Sequence, residues 1–159
     1  MGSEMCIRDS LNIKPHILLA FALCAACSPV QAQTSLPFSP VVEANGVIYL
    51  AGQVGRNPET RKYPEGIKAQ TKQTLDNIGR VLTSVNAGFK DVVRCQVFLT
   101  DPKEFTDMNS VYRTYFPKNP PARTTVAVAL AAPAAKIEIE CTAVRGHGQT
   151  MALKNKHQK

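Results

Sequence analysis

Within residues 136–144, KIEIECTAV, polar and apolar side chains alternate one by one from Lys136 to Ala143. A β-strand sends successive side chains to opposite faces, so Ile137, Ile139, Cys141 and Ala143 share one face and Glu138, Glu140 and Thr142 share the other. A helix would scatter both sets around its circumference. The chain must therefore build a sheet with an apolar face, and something must cover that face. Residues 123–130 read as a neighbouring strand, joined to this one across residues 131–135. Alternation there places Thr124, Val126, Val128 and Leu130 under the cover. It turns Arg123, Thr125 and Ala127 to the uncovered side, where Glu138 also points.

The cover is helical. Between residues 67 and 85, Ile67, Thr71, Thr74, Leu75, Ile78, Val81, Leu82 and Val85 recur at three- and four-residue spacing, and Gly88 stands where a helix stop belongs. Residues 103–116 repeat the pattern with Phe105, Met108, Val111, Tyr112 and Tyr115. Asp101 is the cap of this second helix and Pro102 sits in its first turn. The aromatic and Met stripe reads as core. Two further short strands, residues 39–44 and 47–52, flank Asn45-Gly46, a dipeptide suited to the positive φ angles of a tight hairpin turn. Residues 53–66, with Gly55, Pro58, Pro64 and Gly66, read as loop. Residues 92–99 (VVRCQVFL) form a strand that runs parallel to the second. The expected fold class is α+β: a mixed β-sheet with two helices on one face.

At 159 residues the chain holds one ordinary domain. Oligomerisation would add buried surface to a thin two-layer core. Residues 1–10 resemble a translated adapter or cloning scar and carry no function. Residues 11–32 read as a signal peptide: basic Lys14, an apolar stretch (HILLAFALCAAC, 16–27), then the small-x-small Val30-Gln31-Ala32. That stretch is too short to span a bilayer. Lipidation at Cys27 is the rival processing route, weakened by Cys24 three residues earlier, and without it no stable membrane association is expected. The expected compartment is the periplasm or the exterior. The folded domain spans residues 36–147, and residues 148–159 form a basic tail.

Once the leader goes, five cysteines become two, Cys95 and Cys141. Both sit in apolar strands and read as small buried hydrophobes rather than a disulfide. No His/Cys cluster suggests a metal. The net charge of +7 is concentrated in Arg145, Lys154, Lys156 and Lys159, read as solvated and mobile. No aromatic residue interleaves them, so no nucleic-acid partner is expected. There is no phosphate-binding Gly-rich loop and no GxSxG nucleophile elbow. His16, His147 and His157 lie in the leader and tail, so any catalysis must use Arg, Glu, Asn, backbone groups and water. From pattern alone, Arg123 also reads as a solvated strand-end arginine, and Glu138 and Glu140 as ordinary acids of an exposed face.

Six segments narrow these options. IYLAGQ (48–53), QTKQTLDN (70–77), residues 91–99, MNSVY (108–112), PARTTV (121–126) and IEIE (137–140) occur in order at a spacing that resembles the RidA family. These are the reactive intermediate/imine deaminases of YjgF type, and the resemblance covers residues 36–145. It implies a chorismate-mutase-like α+β fold, a homotrimer with clefts between subunits, and hydrolysis of small 2-imino or enamine acids, such as 2-iminopropionate from 2-aminoacrylate, to 2-keto acid and ammonia. No cofactor or metal is implied. By position, Arg123 would hold the substrate carboxylate in a forked pair and Glu138 would orient water and manage protons. Asn109 would line the site, and Gly52 would let the backbone approach the ligand. Thr125 stands where many members have cysteine and Phe38 where many have tyrosine, which bears on substrate range and rate. A non-catalytic ligand-binding or interaction protein on the same fold is the alternative. RNA cleavage, also attributed to the family, ranks third, and a chorismate mutase fourth.

Overall fold

The computed structural model describes residues 36–148. The elements run β1 (Val41–Ala44), β2 (Val47–Leu50), β3 (Gln53–Val54), α1 (Ile67–Ser84), β4 (Val92–Leu99), α2 (Phe105–Tyr115), β5 (Ala122–Ala127) and β6 (Ile137–Val144). Short 3-10 turns, Phe89–Asp91 and Pro102–Glu104, lead into β4 and α2. The expected leader, the Cys27 alternative and the tail lysines lie outside the described residues.

The local chemistry explains most boundaries. Asn45 and Gly46 take φ of 51° and 76°, which closes the β1–β2 hairpin. Asp101 caps the 3-10 turn Pro102–Glu104 that leads into α2 rather than α2 itself, its carboxylate accepting the Lys103 N–H at 2.9 Å. Gly88 is not the stop of α1. Asn86, at φ 56°, takes the left-handed position, and the Asn86 and Ala87 N–H groups return to the Thr83 and Leu82 carbonyls. Gly88 instead opens the turn into β4 by donating its N–H to Asp91.

The sheet order is β1-β2-β6-β4-β5, with β3 also paired to β6. β2 and β3 are antiparallel to the two halves of β6, β4 is antiparallel to β6, and β5 is parallel to β4. β4 thus runs in the direction of β2 with β6 between them, as expected. β5 and β6 are not neighbours, contrary to the sequence reading. Their connection carries the chain across β4, and Gln70 of α1 braces its far end by donating to the Ala134 carbonyl and accepting the Lys136 N–H at 2.8 Å.

Both helices cover one face. Leu75, Ile78 and Leu82 of α1, with Met108 and Tyr112 of α2, pack on Ile48, Val97, Leu99, Ile137 and Ile139. Each fully buried aliphatic side chain contributes roughly 1.5–3 kcal/mol. Cys95 and Cys141 are buried in this layer and are register partners on β4 and β6. They form a disulfide, which corrects the reading of them as free hydrophobes. Arg145 is no part of a mobile tail either: its guanidinium forks onto the Glu43 carboxylate, with Nε 2.8 Å from Oε1.

Candidate active site

Strand register decides where the candidate residues point. Arg123 and Thr125 pair with Cys95 and Val97, both fully buried under the helices. Paired residues on adjacent strands share a face, so Arg123 and Thr125 face α2. Thr124 and Val126 pair with Gln96 and Phe98 on the open side. Glu138 also pairs with Phe98 and faces the open side. The expectation that Arg123 and Glu138 look out from one face is therefore reversed. They occupy opposite faces of one sheet.

The reversal has a physical source. The open face is itself apolar: Val42 is 53%, Tyr49 51% and Val126 40% exposed. On β5 apolar character marks the uncovered side, and the polar residues turn inward beneath α2.

Arg123 is half-buried, with its guanidinium carbon 4.6 Å from the Tyr112 ring centroid and 5.8 Å from that of Phe105. Ring faces attract a cation without consuming its N–H groups. No carboxylate or carbonyl accepts from Arg123 among the described residues, so its planar fork stays open. Burial pushes the Tyr112 hydroxyl up to about 12 against the opposing pull of the Arg123 charge, so this ring stays neutral at ordinary pH. Sequence reading assigned Phe105 and Tyr112 to core; Tyr112 is buried there, but Phe105 is exposed and lies outside the core, and the contact of both rings with Arg123 was missed. Their three- and four-residue offsets from Met108 carried the core signal, whereas the Arg123 contact depends on the orientation of β5.

Beside Arg123 lies a cleft of about 380 Å³ between α2 and the Pro120-Pro121 segment. Asn109, Tyr112, Arg113 and Arg123 line it. Asn109 sits one helical turn before Arg113, and its side-chain amide makes no hydrogen bond among the described residues. Thr125 lies further along the same strand face, its hydroxyl buried without a partner among the described residues. A buried hydroxyl in that state is an open position for a ligand or water. This group can bind an anion and orient it.

The second group is Gly52 and Glu138. A Cβ on Gly52 would overlap the Glu138 carboxylate oxygen, so the glycine makes the space that the acid occupies where β2 gives way to β3. That refines the expected role of Gly52 from ligand approach to accommodation of the acid. Phe38 is exposed in the segment leading into β1. The structure thus joins Arg123 with Asn109 and Gly52 with Glu138, and separates the two pairs by the thickness of the sheet. Among the described residues no cluster of three or more His, Cys, Asp or Glu is placed to hold a metal ion.

Comparison with known proteins agrees with this architecture. A family described as Endoribonuclease L-PSP matches residues 29–145. Reactive Intermediate Deaminase A, chloroplastic, of Arabidopsis thaliana is 41% identical over 108 residues, covering 67% of this chain and 58% of that protein. This chain thus spans little more than half the length of that relative. The 2-iminobutanoate/2-iminopropanoate deaminase of Mus musculus is 37% identical over 111 residues, 69% of this chain and 82% of its own. The crystal structure of the E. coli YjgF gene product superposes with a TM-score of 0.66 at 34% identity, covering 69% of this chain and 88% of that one. With the site geometry and these matches together, the chain belongs to the Endoribonuclease L-PSP family, which is the YjgF/RidA family.

Proposed function

We propose that the protein hydrolyses small 2-imino acids to 2-keto acids and ammonia, at sites that form only between subunits. The observation that carries this reading is the pair of half-sites on opposite faces of one sheet: an open guanidinium fork beside a cleft, and an acid held over a glycine. The names of the deaminase relatives support the reaction class.

Arg123 offers two parallel donors to the substrate carboxylate, each charge-assisted. This fixes the adjacent C2 carbon. Glu138 of a neighbouring copy orients a water toward C2 and takes its proton as the oxygen attacks. The C2–N bond then breaks, and the nitrogen leaves as ammonia with both protons of the consumed water. The products are the keto acid and ammonia, with no change of oxidation state. Asn109 donates to or accepts from the substrate beside Arg123. Thr125 supplies a hydroxyl there in place of a thiol.

A ring of copies joined head to tail places one copy's Arg123 face against the next copy's Glu138 face. The proposed assembly is a homotrimer, and the exposed Val42, Tyr49 and Val126 give it an apolar surface to bury. Export is part of the proposal too. The buried Cys95–Cys141 disulfide suits an oxidising compartment, as does the leader-like sequence of residues 11–32.

The test generates an imine in situ with an amino-acid oxidase and follows 2-keto acid release, using mixed assemblies. Arg123→Lys and Glu138→Gln chains, each reduced by about 10²-fold alone, should regain activity when refolded together. Random pairing restores about one interface in four. Absence of any recovery, with both variants assembled, would place the two residues in one protomer's site and defeat the composite reading. Keto-acid binding through Arg123 without imine turnover by wild type would favour the non-catalytic ligand-binding alternative.

A further inference from the structure

The cleft holds two arginines. Arg113 lies on α2 one turn beyond Asn109 and lines the same cleft as Arg123. Among the described residues its only hydrogen bond is from Nε to the Asn109 carbonyl at 3.4 Å, which leaves both terminal NH₂ groups open. No acidic side chain lines the cleft. Four other cations of the described residues pair with acids, Lys68 with Asp107, Lys72 with Asp76, Lys136 with Glu104 and Arg145 with Glu43, while others such as Arg61 and Lys103 stand alone on the open surface rather than in a cleft. The two cleft guanidiniums are not neutralised in this way.

Two like charges sharing one cleft repel each other, and a ligand with one carboxylate relieves only part of that repulsion. A ligand carrying a second anion relieves more. Resting on the deaminase reading above, we infer that Arg113 is a specificity-determining residue. It selects imino acids with a side-chain carboxylate, the 2-imino dicarboxylates, over monocarboxylate imines. Arg123 takes the carboxylate next to C2, and Arg113, further toward the rim, takes the distal one. Such substrates arise from oxidation of dicarboxylic amino acids by flavin-dependent oxidases, with dioxygen accepting the electrons before this protein acts.

The test compares kcat/KM for imines made in situ from aspartate and glutamate with those from alanine and 2-aminobutanoate. Calorimetry runs alongside with oxaloacetate and 2-oxoglutarate against pyruvate. Because Arg113 is exposed, a preference of about 5-fold for the dicarboxylates is expected at low salt, shrinking as ionic strength rises. Arg113→Gln should bring the ratio toward one, and Arg113→Lys should restore part of it. A ratio of one or less in wild type, or a ratio that Arg113→Gln leaves intact, overturns the inference. If no imine is hydrolysed yet the keto dicarboxylates bind preferentially through Arg113, the deaminase reading fails and the selectivity stands. If monocarboxylate imines are hydrolysed without preference, the deaminase reading stands and the selectivity fails.

Discussion

The two faces of the sheet differ in what they need. The covered face is complete within one copy: α1 and α2 bury an aliphatic layer, a disulfide joins the two central strands, and aromatic rings hold Arg123 in place. The open face carries Glu138 above Gly52 among exposed Val42, Tyr49 and Val126, with no helix of the described residues over it. The first can grip an anion alone. On the proposed function, the second carries the acid and needs a second surface to supply something for it to act on. Binding and turnover should therefore be separable by mutation.

The largest effect is expected on the covered side. Arg123→Lys keeps the charge and loses the fork, removing at least one charge-assisted hydrogen bond of roughly 1.5–3 kcal/mol. Calorimetry with 2-keto acids should show affinity falling by about 10²-fold, and turnover falling with it. Unchanged affinity would mean that the cleft is not the binding site.

Glu138→Gln should do the opposite. The amide still accepts a hydrogen bond but takes no proton, so kcat should fall by about 10²-fold while keto-acid affinity holds. A parallel loss of affinity would erase the division of labour between the faces.

Gly52→Ala is a milder change on the open side. The new methyl collides with the Glu138 carboxylate, which must swing aside. A decrease of about tenfold in kcat is expected, a size ordinarily seen when a catalytic group is misplaced. Full activity in this variant would show that the position of Glu138 over Gly52 does not matter.

The smallest effect concerns pH and the covered side. Burial tends to raise the Asp76 pKa, but hydrogen bonds from Lys72 and Tyr115, with the Lys72 and Arg80 charges, hold it below the ordinary 3.8. A depressed carboxylate stabilises the fold above its unfolded-state pKa, and that stability is lost as pH falls through the folded value. Melting temperature should thus drop more steeply below about pH 4 in wild type than in Asp76→Asn. The Asp76–Tyr115 bond that ties α1 to α2, at 2.7 Å, is the contact tested.

The sequence revealed the elements better than their arrangement. Helical spacing located α1 and α2 because each buries a single stripe against one sheet. β6 was legible for the same reason: Ile137, Ile139 and Cys141 are buried, and the residues between them are not. β5 was misread because its more apolar side is the exposed one, and alternation identifies two faces without saying which is inside. β3 escaped because two residues, Gln53 and Val54, carry no periodicity. The neighbours of β5, and the meeting of Cys95 with Cys141, depend on strand order. That order is set by the crossover braced at Gln70, through contacts more than sixty residues apart in the chain. Arg123, Asn109, Gly52 and Glu138 were found through motif resemblance, and their division into two groups became visible only in the register.

The disulfide also draws a boundary through the molecule. Cys95 and Cys141 lie 46 residues apart and close a covalent ring that contains α2, β5 and most of β6. Asn109, Arg113, Arg123 and Glu138 are inside that ring, and Gly52 is outside. A protease that cuts once in the exposed Pro117-Lys118-Asn119-Pro120 stretch would leave both fragments tethered, with α2 still docked on the sheet. A nicked chain would keep Arg113 and Arg123 covalently joined through the Cys95–Cys141 bond.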